Sequence, residues 1–295
     1  MSGVAIVGPG RAGTLLAASL IQAGERVVAV AGGSAASRDR FVGRFAGVRD
    51  CRNVDEAVRR AQLVVLAVPD DAVAEIADRL AVDDVLTRSH RIVHLSGALG
   101  LAPLRRARLA GASVAACHPA MTMPHDRVDP DLLAGVAWGV TADDADWAWA
   151  VDLITRLGGD AHRVPETRRA LYHAALAVGS NAAAAAVATA RQLLLAAEID
   201  RPEAFLGPLV DVSVANALEH GAAALTGPVV RGDAGTISRH IAAIDADVPS
   251  LGAAYRDAMR VVLDQARLVL DADAAATLEA ALDAPGATRD GGDMR

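Results

Sequence analysis

Two histidines, a serine and an asparagine carry the side chains best suited to binding and protonating a small compound: His118, His173, Ser96 and Asn181. His118 directly follows an apolar run and precedes Pro119, which limits where its ring can point. An imidazole so placed can donate a hydrogen bond to a substrate oxygen, or it can cap the carbonyls of a turn. His173 and Ser180 are seven residues apart, so on a helix they share nearly one face, with Ala177 between them and Asn181 alongside. That stripe offers room and polarity to a ligand, and tight helix packing would give the same pattern. A third group is Thr226-Gly227-Pro228 followed by Arg231-Gly232-Asp233. Here an ordered turn is expected, with Asp233 starting the next helix as a cap and Arg231 able to grip a carboxylate bidentately. A purely structural loop held by Arg231 and Asp233 accounts for the same residues. Cys117 reads as a small buried apolar side chain and His94 as a core residue.

An absence narrows the chemistry. All 29 basic residues are arginine, which excludes a Schiff-base lysine, a phosphate-loop lysine and a lysine acid. The two cysteines, Cys51 and Cys117, are far apart, so neither a disulfide framework nor a cysteine-ligated metal site is expected, and no metal is assigned. A net charge of −7 argues against nucleic acid or anionic lipid as a partner.

These groups need a frame, and the first elements of the chain supply one. Val4 to Val7 is a short apolar run, Gly8-Pro9-Gly10-Arg11-Ala12-Gly13 follows, and an amphipathic stretch begins at Thr14. Strand, glycine turn and helix in that order make G-x-G-x-x-G a dinucleotide-binding motif. Gly8 allows the tight turn, Gly10 leaves space for a pyrophosphate, and Gly13 lets the helix lie against the strand. The helix N-terminus then faces the phosphates. An NAD site usually carries an acid about 20 residues further on. Here the corresponding segment contains Gly33, Ser34, Ser37, Arg38 and Arg40, and Glu25 and Asp39 are misplaced for that role. NADP(H) is therefore expected in preference to NAD(H), its 2′-phosphate held by those serines and arginines.

The first half alternates short apolar runs with helical patterns, the signature of a mostly parallel sheet. Strands are expected at Val4 to Val7, Arg26 to Ala31, Val48 to Arg52, Leu63 to Val68, Arg91 to Leu95, Ser113 to Cys117, Gly135 to Thr141 and Ala161 to Val164. Small or polar residues recur at their carboxyl ends: the glycine turn, Gly32-Gly33-Ser34, Val68-Pro69-Asp70, Ser96-Gly97 and His118-Pro119. One crevice shared by those ends accounts for all five. Beyond Glu166 the pattern is helical, over about 167–199, 202–220, 235–245 and 250–281. The expected division is 1–165 for the nucleotide domain, 166–283 for an all-helical substrate and dimerisation domain, and 284–295 for a disordered tail. The uncharged stretch Ala170 to Ala190 is long enough to span a bilayer. Its alanine content and its polar residues favour a buried helix of a soluble protein instead. With a strand beginning at residue 4, no signal peptide is expected, and a reducing, cytoplasmic setting fits.

Taken together, the glycine turn, Val68-Pro69-Asp70-Asp71, His118-Pro119-Ala120-Met121, Leu171-Tyr172-His173-Ala174-Ala175 and the segment from Thr226 to Asp233 resemble a bacterial family. In it a Rossmann domain precedes a helical C-terminal domain of unassigned function. The resemblance spans about residues 3–270 and extends to the ketopantoate reductase, pyrroline-5-carboxylate reductase and β-hydroxyacid dehydrogenase group. It implies an α/β fold: a doubly wound Rossmann sheet, then an all-helical domain like that of 6-phosphogluconate dehydrogenase, a cleft between domains and a homodimer through the helices. Ketopantoate reductases and β-hydroxyacid dehydrogenases use a lysine on the first long helix of the second domain, with an asparagine beyond it. Here that stretch supplies His173, Ser180 and Asn181 instead. The expected activity is NADPH-dependent reduction of the carbonyl or imine of a small carboxylated metabolite. His173 or His118 gives the proton, Ser96 and Asn181 orient the substrate, and Arg231, with Thr226, Asp233 and Ser180 nearby, receives its carboxylate. The alternative is a non-catalytic NADP(H)-binding sensor or scaffold.

Overall fold

The structure, a computed structural model, describes residues 3–124 and 128–284. The tail expected at 284–295 falls, apart from Ala284, outside the described residues. The chain divides into two compact units, Met1–Ala177 and Val178–Arg295.

The first unit is built on eight strands: β1 (Gly3–Val7), β2 (Arg26–Ala31), β3 (Arg49–Asp50), β4 (Leu63–Leu66), β5 (Arg91–His94), β6 (Ser113–Pro119), β7 (Ala137–Thr141) and β8 (Asp160–Arg163). Its helices are α1 (Arg11–Gln22), α2 (Ala35–Arg44), α3 (Val54–Val58), α4 (Asp70–Val82), α5 (Arg105–Leu109), α6 (Asp144–Arg156) and α7 (Arg169–Ala177). The sheet order is β3-β2-β1-β4-β5-β6-β7-β8, parallel except where β7 runs against β6. The chain leaves β1 toward β2 and β3, then returns to the other side of β1 with β4. That reversal opens a crevice at the carboxyl ends of β1 and β4.

Apolar residues in these strands alternate between two cores, as a doubly covered sheet requires. Val4 and Ile6 join one with Leu16, Val65 and Ile154, while Ala5 and Val7 join the other with Leu66, Leu80 and Ile92. Register aligns the strand ends: Val7 lies beside Leu66, Leu66 beside His94, and His94 beside Ala116. The segments just beyond those residues therefore emerge along one edge of the sheet. On the antiparallel side, His118 is paired with Gly139.

Several expected boundaries move. The third strand shortens to two residues at the sheet margin, and β6 runs through His118 and Pro119, so that histidine ends a strand instead of following one. Pro119 is tolerated at the strand end because the cross-strand bond there is made by its neighbour, the Ala120 N–H donating to the Ala137 carbonyl at 2.9 Å. The unit division lies beyond Pro165, since Arg169 at the start of α7 is buried in the sheet-bearing unit.

The second unit holds α8 (Ala183–Ala196), α9 (Pro202–His220), α10 (Ala234–Asp247), α11 (Gly252–Ala266) and α12 (Ala272–Asp283). The last two replace the single stretch expected over 250–281, because the Asp271 carboxylate accepts the Ala274 N–H and begins a new helix. Its core is formed by Val229, Ile237, Ile241, Leu263, Leu278 and Leu282. A π-turn, Val178–Ala182, precedes α8, where an unbroken α-helix was expected. The reading of Ala170 to Ala190 as a buried helix is corrected. Glu166–Ala196 is long and apolar enough to cross a membrane, yet 0% of its most apolar window is buried inside the structure. Alanine carries too little side chain to enforce burial by itself, so composition could not decide the point.

Candidate functional site: the carboxyl edge of the first sheet

The glycine turn has the geometry its spacing predicts. Gly8 sits at φ +98°, where a Cβ would be strained and would overlap the Ala67 carbonyl. A Cβ on Gly13 would overlap the Gly8 carbonyl oxygen and press on Ile6 and Ala67 at 3.1 Å. Around Gly10, by contrast, a Cβ would meet nothing within 4 Å. Gly10 is also the N-cap of α1 and gives that helix no side-chain cap. An open, uncapped helix N-terminus beside a bare glycine fits the diphosphate of a dinucleotide. A cavity of about 830 Å³ opens there, lined by Pro9, Gly10, Arg11, Ser37, Arg40 and Arg44 among others.

Two expected contacts beside it are engaged elsewhere. Arg38 Nε donates to Asp50 at 2.7 Å and its Nη1 donates to the Gly33 carbonyl at 3.1 Å. Ser34 caps α2, its Oγ accepting the Ser37 N–H at 3.2 Å. The side chains of the second-strand region that line the cavity are instead Ser37, Arg40 and Arg44. Arg44 was missed in the sequence because it closes α2; one helical turn separates it from Arg40, which places the two on one face.

At the ends of β4 and β5, Ser96 is woven into the turn. Its Oγ donates to Asp70 at 2.7 Å and accepts the Leu99 N–H at 3.1 Å, while its own N–H donates to His94 Nδ1 at 3.2 Å. His94 is buried, as expected, and its Nε2 pairs with the Gly100 carbonyl at 2.8 Å. Val68 and Pro69 lead into α4, with Pro69 as its N-cap.

Arg169 was not foreseen. Only 2% exposed, it donates from Nε to Leu99 O, from Nη1 to Gly139 O and from Nη2 to Ser96 O, at 2.8, 3.0 and 2.8 Å. Its partners are carbonyls, so its charge is not cancelled by a contacting carboxylate in these bonds. Nearby, Glu166 accepts the backbone N–H groups of Leu101 and Ala102.

The two histidines proposed as proton donors meet. Their rings stand edge to face with centroids 5.9 Å apart. Both press on Gly97: a Cβ there would overlap the His173 ring and come within 3.1 Å of His118 Nε2. Tyr172, the other unforeseen member, sets its hydroxyl 3.0 Å from His118 Nδ1 and lies against Gly139. Burial, and then the charges of Arg169 and His173, push the His118 imidazole down to about 4. Burial raises the Tyr172 phenol, and Arg169 opposes that rise.

The shift of His118 has a consequence for stability. The unfolded chain holds the proton up to the ordinary value of 6.5, the folded one only to about 4, so acid favours unfolding. This contribution is complete above the ordinary histidine value and is lost as pH falls toward the depressed one. Denaturant midpoints measured at about pH 7 and about pH 5 should differ less in His118→Asn than in the parent.

The remaining expected residues belong to the second unit. Ser180 and Asn181 lie in the π-turn, with Ser180 Oγ donating to Asn181 Oδ1 at 3.3 Å. Asp233 is the cap of α10, accepting from the Thr236 N–H at 2.9 Å and its hydroxyl at 2.6 Å, which holds its carboxyl below the usual range. Arg231 is exposed, and Thr226 lies five residues before it in the same turn region.

Residues 2–119 match the model of a Rossmann-like domain, and residues 136–261 match that of a domain of unknown function, DUF2520. The two matches together take in most of the chain, the first over the sheet from β1 to β6 and the second from β7 into α11. No curated protein matches its sequence. Among solved structures it is similar to BF3122 of Bacteroides fragilis, provisionally named an NADP oxidoreductase (20% identity, 88% of this chain and 97% of that one, TM-score 0.74). It is similar also to an imine reductase from Myxococcus stipitatus in complex with NADP+ (18%, 89% and 94%, TM-score 0.65). A third is pyrroline carboxylate reductase from Plasmodium falciparum with NADP bound (12%, 95% and 98%, TM-score 0.58). At these identities the likeness is one of fold, and the expected α/β sheet domain with a helical partner is met. The DUF2520 match begins at β7, so it takes in the Arg169, Tyr172 and His173 segment as well as α8 to α10.

Proposed function

We propose that this Rossmann–DUF2520 chain is an NADPH-dependent oxidoreductase that reduces a small carboxylated carbonyl or imine compound. One observation carries the reading: two imidazoles converge on Gly97, on the same sheet edge that bears the open glycine turn. Reduced nicotinamide supplies the hydride in such chemistry. The uncapped N-terminus of α1 binds the diphosphate, Gly10 admits it, and His118 or His173 delivers a proton to the substrate. Ser96 acts by holding the turn that presents Gly97. The names of the NADP-bound structures above support the coenzyme, as does the arginine-lined cavity beside the turn. The test is loss of NADPH absorbance with purified protein against 2-oxo acids and cyclic imines. Tight NADPH binding with no oxidation by any of them would favour a sensor or scaffold.

Arg40 and Arg44, which line the same cavity, are proposed to hold the 2′-phosphate. Removing both as alanines should weaken NADPH by at least about tenfold, given ~1.5–3 kcal/mol per charge-assisted bond, and leave NADH affinity nearly unchanged. Titration calorimetry with both coenzymes checks this. An equal loss for NADPH and NADH would remove these residues from phosphate recognition.

The chain is further proposed to form a homodimer through α8 and α9. Apart from Pro202, neither helix buries a residue, and Phe205, Leu209 and Val212 recur at helical spacing with about 60% or more of each exposed. Such an apolar stripe is what an interface between two copies covers. Leu209→Glu should convert a dimer to monomers in analytical ultracentrifugation, and a monomeric parent protein would end this part of the reading.

A further inference from the structure

We infer that Tyr172 is a positioning residue that holds His118 as its Nε2–H tautomer, because its hydroxyl meets Nδ1 at 3.0 Å while Nε2 faces Gly97. The inference rests on the proposed reductase reading for its chemistry, but the tautomer itself belongs to the free protein.

Consider what the phenol can do. A neutral imidazole has one donor and one acceptor nitrogen, and a neighbour decides which is which. The phenol packs against Gly139, and a phenolic O–H is a stronger donor than its oxygen is an acceptor. That O–H, 3.0 Å from Nδ1, is therefore the donor of the pair. The geometry therefore leaves Nδ1 as acceptor and puts the ring proton on Nε2. This is the nitrogen within 3.1 Å of a Cβ position on Gly97, where a bulkier residue would block approach.

A donor at that place selects its ligand. It meets an acceptor atom, such as a carbonyl or carboxylate oxygen, and offers nothing to an N–H of an iminium. The positive charge of Arg169, whose guanidinium lies 5.6 Å from the Tyr172 ring centre, favours the same choice. The carbonyl branch of the proposed substrate class follows.

The pair can also complete a proton transfer. When hydride from NADPH converts the carbonyl to an alkoxide, the Nε2–H bond breaks and a substrate O–H bond forms. In the same passage the Tyr172 O–H bond breaks and an Nδ1–H bond forms. The imidazole ends neutral, with its proton moved to the other nitrogen, and the negative charge rests on the phenolate. There the nearby Arg169 stabilises it until solvent returns a proton.

The test is histidine 15N NMR on the full-length, coenzyme-free protein, with the His118 signals identified by their loss in His118→Asn. The expected result at neutral pH is an unprotonated Nδ1 and a protonated Nε2. Tyr172→Phe should mix the two tautomers while leaving the signals of buried His94 in place. In turnover, Tyr172→Phe should lower kcat about 10–100-fold with little change in KM, the usual cost of removing the partner of a working imidazole. A proton on Nδ1 in the parent protein, or an unaltered tautomer or kcat in Tyr172→Phe, would overturn the inference. Should the tautomer prove as expected while the parent oxidises NADPH with no carbonyl or imine, the positioning stands and the reductase reading falls.

Discussion

His118→Asn is expected to lower NADPH-dependent turnover by about 10²–10⁴-fold, the range contributed by a placed general acid. NADPH affinity should stay as it was, since the glycine turn that binds the diphosphate is formed by β1 and α1. Asparagine keeps a polar group near Tyr172 and removes the ring nitrogen that faces Gly97. His173 sets the contrast. Its ring is exposed and approaches His118 edge on, so its loss tests which of the two delivers the proton. If His173→Ala costs the larger factor and His118→Asn little, the assignment reverses. Turnover unchanged from the parent in both variants would take the pair out of the chemistry altogether. Single-turnover measurements at saturating NADPH separate these outcomes from effects on binding.

The second large effect comes from placing the same side chain at two glycines of one turn. Gly13→Val should cost stability and abolish NADPH binding together, because even its Cβ overlaps the Gly8 carbonyl and backbone cannot move aside cheaply. Overpacking of this kind typically costs about 1–3 kcal/mol, and more where backbone is the obstacle. Gly10→Val should leave the thermal midpoint nearly unchanged, since its Cβ meets nothing within 4 Å, and yet prevent coenzyme binding by filling that space. Thermal unfolding and NADPH titration on the two variants give the comparison. If Gly10→Val binds NADPH as well as the parent does, the diphosphate does not sit there, and the function proposed above loses its foundation.

The sheet was legible because its strands are doubly buried: runs such as Leu63 to Leu66 are apolar throughout and bounded by turn residues. Gly8 and Gly13 were legible for a similar reason, each being demanded by a backbone contact that a Cβ would violate. The tie of Arg38 to Asp50 was not legible, because a cation near a phosphate site and a cation paired with an acid look alike in sequence and the partner sits on β3. Arg169 and Tyr172 were hidden for a related reason. Their partners, Leu99, Gly139 and His118, are 70, 30 and 54 residues away in the chain. One signal was available: both adjoin His173, in a helix whose start combines arginine, tyrosine and histidine within five residues. The α8 and α9 surfaces escaped too, since an alanine-rich pattern carries no face strong enough to tell core from interface.

In a chain without lysine, most arginines are simply the cation in use, and a lysine would serve as well on the surface. Arg169 is different in kind. Its flat fork reaches three carbonyls on two separate segments, the turn after β5 and strand β7, a geometry that a tetrahedral ammonium on a flexible stem cannot reproduce. The residue thus works as a rivet through the sheet edge, and it marks where a uniform habit of composition becomes a strict requirement of shape.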